Sequence, residues 1–156
     1  MEYKNLISGA IYDKSRVYNC DCMDLLKQTP DNYYSLALVD PPYGININNN
    51  IGRRKGDNKS NYKQAYWDDN IPSDEYFNEL CRVSNNQIIW GGNYFPALWT
   101  GGCKSYIIWD KGYSEKVSFS MSELAWTSFD KVAKTFYYNG AKNNSTTRIH
   151  PTQKPV

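Results

Sequence analysis

Pro41 and Pro42 stand side by side directly after the run Ser35-Leu-Ala-Leu-Val-Asp40, and no other junction restricts the fold as much. Each proline fixes φ and removes a backbone N–H, so neither a helix nor a central strand can run through the pair. The residues before it are apolar almost without alternation, the pattern of a strand buried on both faces of a parallel sheet. The chain must therefore leave a sheet abruptly at Asp40, carrying a carboxylate, two prolines and Tyr43 beyond the strand's carboxyl end. In open α/β sheets ligands bind at that end.

The flanking segments predict an α/β domain with a mostly parallel sheet and an antiparallel addition. Arg16 to Cys20 reads as a short strand, after which Asp21 or Cys22 opens a helix through Met23, Leu25 and Leu26 that ends before Pro30. Ser73, with Asp74 and Glu75, caps a second helix whose Tyr76, Phe77, Leu80 and Val83 share one face. Gln87 to Trp90 predicts a buried strand ending at Gly91-Gly92, with Asn93 as the cap of a short helix. Lys104 to Trp109, Ser122 to Phe129 and Val132 to Tyr138 predict further strands, the last two as an antiparallel pair. Trp109 and Trp126 are expected in the core.

At 156 residues the chain has the size of one domain. No apolar run approaches the roughly 18 residues of a membrane span and the N-terminus lacks a signal peptide's apolar core, so a soluble, cytosolic protein is expected. The net charge of +2 is small but unevenly spread: −2 over residues 1–45, +4 over 46–66, −5 over 67–130 and +5 over 131–156. Two basic, Asn- and Tyr-rich segments around an acidic body could hold a phosphate backbone, or could be solvated loops. Residues 45–71 have no apolar period and predict a long, mobile basic loop. Four cysteines (Cys20, Cys22, Cys81, Cys103) form no C-x-x-C pair, and His150 is the only histidine. They give no basis for a metal site and are expected to be small buried hydrophobes.

Asp40-Pro41-Pro42-Tyr43 suits the holding of an amino group. A carboxylate and preset carbonyls are acceptors, and the prolines contribute no competing donors. The exocyclic amine of a nucleobase is a poor nucleophile because its lone pair is delocalised. If the Asp40 carboxylate and the Pro41 carbonyl each accept one of its hydrogens, the nitrogen becomes pyramidal and its lone pair is aimed at an electrophile. Tyr43 would stack on the base, which must first leave its duplex. The plainer reading is a strand terminator followed by a turn.

The tetrapeptide does not stand alone. With Asn19-Cys-Asp-Cys-Met-Asp-Leu-Leu26, Ile88-Ile-Trp-Gly-Gly-Asn-Tyr-Phe95, Ile107-Ile-Trp-Asp-Lys111, Ser122-Glu-Leu-Ala-Trp126 and His150-Pro-Thr-Gln-Lys-Pro-Val156, the chain from Arg16 onward resembles the amino-group DNA methyltransferases. The order of the motifs resembles their beta-type arrangement. The resemblance implies a Rossmann-like class I methyltransferase sheet and transfer of a methyl group from S-adenosylmethionine to adenine N6 in a short sequence of double-stranded DNA. It also implies a restriction-modification setting in the cytoplasm of a bacterial or phage-infected cell. Asp in the first position of the tetrapeptide leans towards adenine in the family, while cytosine N4 enzymes use the same chemistry and are the nearest alternative; RNA or glutamine methylation is disfavoured because those relatives begin theirs with Asn.

By this resemblance Asp40, Pro41, Pro42 and Tyr43 are catalytic, and Asp40 also borders the methyl donor. Asp21 matches the residue that contacts the donor's adenosine, although it would serve equally as a helix cap. His150, Thr152, Gln153 and Lys154 match the segment that binds the donor's methionine end. Gly91, Gly92 and Asn93 match a packing turn near the base pocket. Arg53, Arg54, Lys55, Lys59, Lys63, Lys142 and Arg148 are the expected phosphate contacts, and residues 130–149 the short segment expected to recognise the target.

In one respect the chain departs from the family. Beta-type members continue beyond His-Pro-Thr-Gln-Lys-Pro into a Gly-rich turn that forms the main donor site, whereas no G-x-G occurs here. The expectation is an incomplete catalytic domain, completed by a homodimer mate or another chain, that binds S-adenosylmethionine weakly when alone. A DNA-binding remnant without turnover is the alternative from a different class.

Overall fold

A computed structural model describes residues 18–46, 66–113 and 120–139 of the chain. Their order is helix α1 (Cys22–Gln28), strand β1 (Ala37–Val39), helix α2 (Asp74–Val83), strand β2 (Gln87–Trp90), two 3-10 turns (Gly92–Tyr94 and Pro96–Trp99), and strands β3 (Ser105–Asp110), β4 (Ser122–Thr127) and β5 (Lys134–Tyr137).

Both helices start where side-chain oxygens can cap them. The Asp21 carboxylate accepts the Met23 N–H at 2.8 Å, and Ser73 Oγ accepts the Tyr76 N–H at 3.4 Å, each satisfying one of a helix's orphan donors. Thr29 ends α1 with its hydroxyl donating to the Leu25 carbonyl at 2.8 Å. Arg82 of α2 then ties the two helices together. Its guanidinium donates to the carbonyls of Leu26 and Thr29, each at 2.9 Å, and forms ion pairs with Asp31 and Glu79. One planar fork thus adds a second donor to the Leu26 carbonyl, which also accepts the Thr29 N–H, and gives the Thr29 carbonyl a donor just past the end of α1.

The five strands lie in the order β1-β2-β4-β3-β5. Pairing of β1 with β2 and of β3 with β5 is parallel, while β4 is antiparallel to both β2 and β3. Four strands therefore share one direction and one is reversed, but two of the four pairings are antiparallel, so the sheet is a mixed one in an α/β-type fold, more strand-rich than the mostly parallel sheet expected.

Several local expectations are corrected. The segments β4 and β5 do not pair with each other: both edges of β4 are occupied, by β2 and β3, so β5 takes the outer edge of β3, with Ile107 opposite Lys134 and Asp110 opposite Tyr137. Strand β1 is not buried on both faces. It lies at the end of the described sheet, where Ala37 and Val39 pack on the core while Leu38 on the opposite face is 62% exposed. Tyr18 to Cys20 are not in a strand, and Arg16 and Val17 lie outside the described residues. Asn93 is not a cap; the turn starts at Gly91, in the left-handed region (φ 71°), with no side-chain capping bond. Nor are the cysteines buried: Cys22 and Cys81 are exposed, Cys20 and Cys103 half-buried, and all four are free. Cys81 follows Leu80 by one helical step of about 100°, which turns it off the buried face.

The core forms where α2 and the second 3-10 turn meet the sheet, with Phe77, Leu80, Ile89, Phe95 and Leu98 as its centre. Phe77 and Phe95 meet with ring centroids 5.1 Å apart. Trp109 is buried and its Nε1–H donates to the Tyr138 carbonyl at 2.8 Å; Trp126 is half-buried against the core. Among the described residues no helix is long and apolar enough to cross a membrane. Phe95 is fully buried, so Phe95→Ala is expected to cost about 3–5 kcal/mol in urea unfolding monitored by tryptophan fluorescence. A loss below about 1 kcal/mol would contradict the packing described.

Candidate active site

Parallel pairing of β1 with β2 brings the carboxyl ends of the two strands together, with Val39 opposite Ile89. The residues that follow each strand therefore meet: Asp40-Pro41-Pro42-Tyr43 from β1 and Gly91-Gly92 from β2. Pro41 is buried and Asp40 exposed. The Tyr43 ring folds back so that its hydroxyl donates to Asp40 Oδ1 at 2.5 Å. Tyr94 stacks on the ring, with centroids 4.9 Å apart and planes 14° from parallel, and Phe95 meets its edge at 6.1 Å. Burial, followed by the hydrogen bond to Asp40, pushes the Tyr43 phenol far above its ordinary value. At neutral pH it is a fixed donor to the carboxylate.

Gly91 makes that arrangement possible. A Cβ there would lie 2.1 Å from Tyr43 Cε1, and the backbone already has φ +71°. At Gly92 a Cβ would lie 2.5 Å from the Cβ of Trp126. The double glycine is thus a packing turn, as the motif implied. Tyr43 differs from expectation: Tyr94 covers a face of the ring, and its hydroxyl is engaged with Asp40.

A further residue, Asp68, belongs to the site. Its side chain is buried (2% exposed), and its Oδ1 accepts the N–H groups of Tyr43 at 2.7 Å and Gly44 at 3.0 Å. Its carbonyl accepts the Asn46 N–H at 3.1 Å. Sequence reasoning missed it, because Trp67-Asp-Asp-Asn70 reads as the polar end of a loop. Only Gly44, which adopts φ +70° against Ile71 and Asn70, hinted that the chain is gripped here.

Behind the prolines lies a cleft of about 290 Å³. Pro41 and Pro42 form one wall, Cys22 and Met23 of α1 a second, and Pro72, Ser73 and Tyr76 a third. Burial pushes the Tyr76 phenol up to about 12, and burial with the neighbouring Asp21 raises the Cys22 thiol. Both are neutral at physiological pH, so the cleft is mainly apolar, with Asp21 one residue from its wall. On the far side of the tetrapeptide, Lys111 pairs with Glu123 at 2.6 Å and lies 5.3 Å above the Trp109 ring centroid.

Of the residues singled out in the sequence, the structure brings together Asp40, Pro41, Pro42, Tyr43 and Gly91, and places Asp21 next to Cys22, which lines the cleft with the same prolines. His150, Thr152, Gln153 and Lys154 lie outside the described residues, as do Arg53, Arg54, Lys55, Lys59, Lys63, Lys142 and Arg148. The described part of the 130–149 segment contains β5, with Phe136 and Tyr137 exposed. Among the described residues no three His, Cys, Asp or Glu side chains are grouped as metal ligands.

No protein-family model and no curated protein matches the chain. The site is therefore interpreted from its geometry and from the motifs themselves.

Gly91→Ala is expected to displace the Tyr43 ring. The near-ultraviolet circular dichroism of the Tyr43–Tyr94 stack should collapse and stability fall by more than about 1 kcal/mol, the least that strain at a positive φ costs. An unchanged aromatic spectrum would contradict the close approach.

Proposed function

We propose that the chain is the catalytic-motif part of an S-adenosylmethionine-dependent DNA methyltransferase with a Rossmann-like sheet, acting on adenine N6. The observation that carries the reading is the place of Asp40-Pro41-Pro42-Tyr43 at the carboxyl end of a parallel strand, with an apolar cleft behind the prolines. The Asp40 carboxylate and the Pro41 carbonyl accept the two hydrogens of the target amine and orient its lone pair. As the nitrogen gains positive charge, the carboxylate stabilises it without having to reorganise. Tyr43, held as a donor, keeps Asp40 in place.

The cleft fits one part of the donor. Proline, methionine and tyrosine surfaces suit a purine, the Asp21 carboxylate beside them is an acceptor for its polar groups, and the volume is near the roughly 300 Å³ lower limit of small-molecule sites. Asp21, Met23, Pro41 and Pro42 would hold the adenosine part; His150, Thr152, Gln153 and Lys154 carry donors suited to the carboxylate end. When bound, S-adenosylmethionine supplies an electrophilic methyl group. The basic segments at 46–66 and 131–156 would meet DNA phosphates.

Incubating the purified chain with mixed-sequence double-stranded DNA and labelled S-adenosylmethionine, followed by nucleoside mass analysis, tests the proposal. N6-methyladenine is expected. N4-methylcytosine would move the target to cytosine with the mechanism kept, and DNA binding without any transfer would favour the binding remnant.

A further inference from the structure

Asp68 is a buried carboxylate with no part in the chemistry above, yet it bonds directly to the backbone of the catalytic segment. Its Oδ1 accepts two successive backbone N–H groups, of Tyr43 and Gly44, across 25 and 24 positions of sequence. Burying a carboxylate is costly unless its oxygens are hydrogen-bonded, and charge-assisted bonds to backbone N–H groups are among the stronger ones available. The two bonds fix the peptide from which the Tyr43 ring departs. The ring's hydroxyl in turn donates to Asp40 at 2.5 Å.

We infer that Asp68 is a positioning residue that sets the direction of the Asp40 carboxylate through the Tyr43 backbone and hydroxyl. This rests on the proposed function only in giving Asp40 an amine to hold; the chain of contacts exists without it. Asp68 also fastens the far end of the basic segment to the near one, since its carbonyl accepts the Asn46 N–H.

The inference separates kcat from KM. Asp68→Ala is expected to lower the kcat of methyl transfer at least about tenfold while leaving the KM for DNA within about twofold. Asp68→Asn, whose side-chain oxygen can accept both N–H groups, should restore most of the rate. Tyr43→Phe keeps the ring but loses the bond to Asp40. If Asp68 acts through that hydroxyl, combining Tyr43→Phe with Asp68→Ala should cost less than the product of the single effects. Equal loss of kcat and DNA affinity, or strictly multiplicative effects, would overturn the positioning role. So would an Asp68→Asn variant that folds but is as inactive as Asp40→Ala. Should the wild-type chain transfer no methyl group, the proposed function fails and amide hydrogen exchange decides the inference. Faster exchange at Tyr43 and Gly44 in folded Asp68→Ala, with Asp68→Asn lying between Asp68→Ala and wild type and the Tyr43 phenol titrating lower in Asp68→Ala, supports it; exchange and titration unchanged in Asp68→Ala, or as strongly altered in Asp68→Asn as in Asp68→Ala, overturn it.

Discussion

Three register pairs between β1 and β2 determine where everything else in the site falls. Ala37 faces Gln87, Leu38 faces Ile88 and Val39 faces Ile89 in parallel, so the two strands end together. A slip of one residue would turn Val39 and Ala37 away from the core and Leu38 into it. It would also shift Tyr43 by roughly 3.3 Å relative to Gly91, enough to take the ring off the glycine whose missing Cβ leaves it room. The core enforces the register, because Ile89 is fully buried and Ala37 and Val39 pack beside it. Packing energy is thus converted into the position of a carboxylate.

Around that junction the site is a sequence of supports. Prolines set the exit direction of the chain, Gly91 admits the Tyr43 ring, Tyr94 and Phe95 hold it, and Asp68 fixes its backbone. The result is an exposed carboxylate on a rigid mount, as expected of a group that must meet a substrate from solution and hold it in one orientation. The capped starts of α1 and α2 converge on the other side of the prolines, which is why the cleft forms there. The apolar walls follow from Pro41, Pro42, Pro72, Met23 and the neutral Tyr76.

Much of this was legible in the sequence because it depends on local chemistry. The caps at Asp21 and Ser73, the buried face of α2 and the extent of β2 all follow from residues a few positions apart. That the chain leaves the sheet at Asp40 was legible too, because two adjacent prolines end a strand. What could not be read is long-range. Strand β5 pairs with β3 because β4's edges are already taken, a matter of competition among strands rather than of composition. Leu38 lies on an uncovered face although its neighbours on both sides are apolar. Asp68 belongs to the site through partners 24 and 25 residues away, and nothing in Trp67-Asp-Asp-Asn70 distinguishes the buried Asp68 from the exposed Asp69. The orientation of Tyr43 towards Asp40 likewise required the ring's packing to be seen.

The central claim is that Asp40 holds the reacting amine and is not merely part of a DNA-binding surface. Measuring DNA affinity and methyl transfer side by side for wild type and Asp40→Ala tests it most directly. Transfer reduced by a factor of about 100 or more, the scale of losing one preorganised electrostatic partner, with affinity changed by less than about twofold, is the expected result. Transfer that survives the substitution, or that falls only in proportion to DNA affinity, would contradict it.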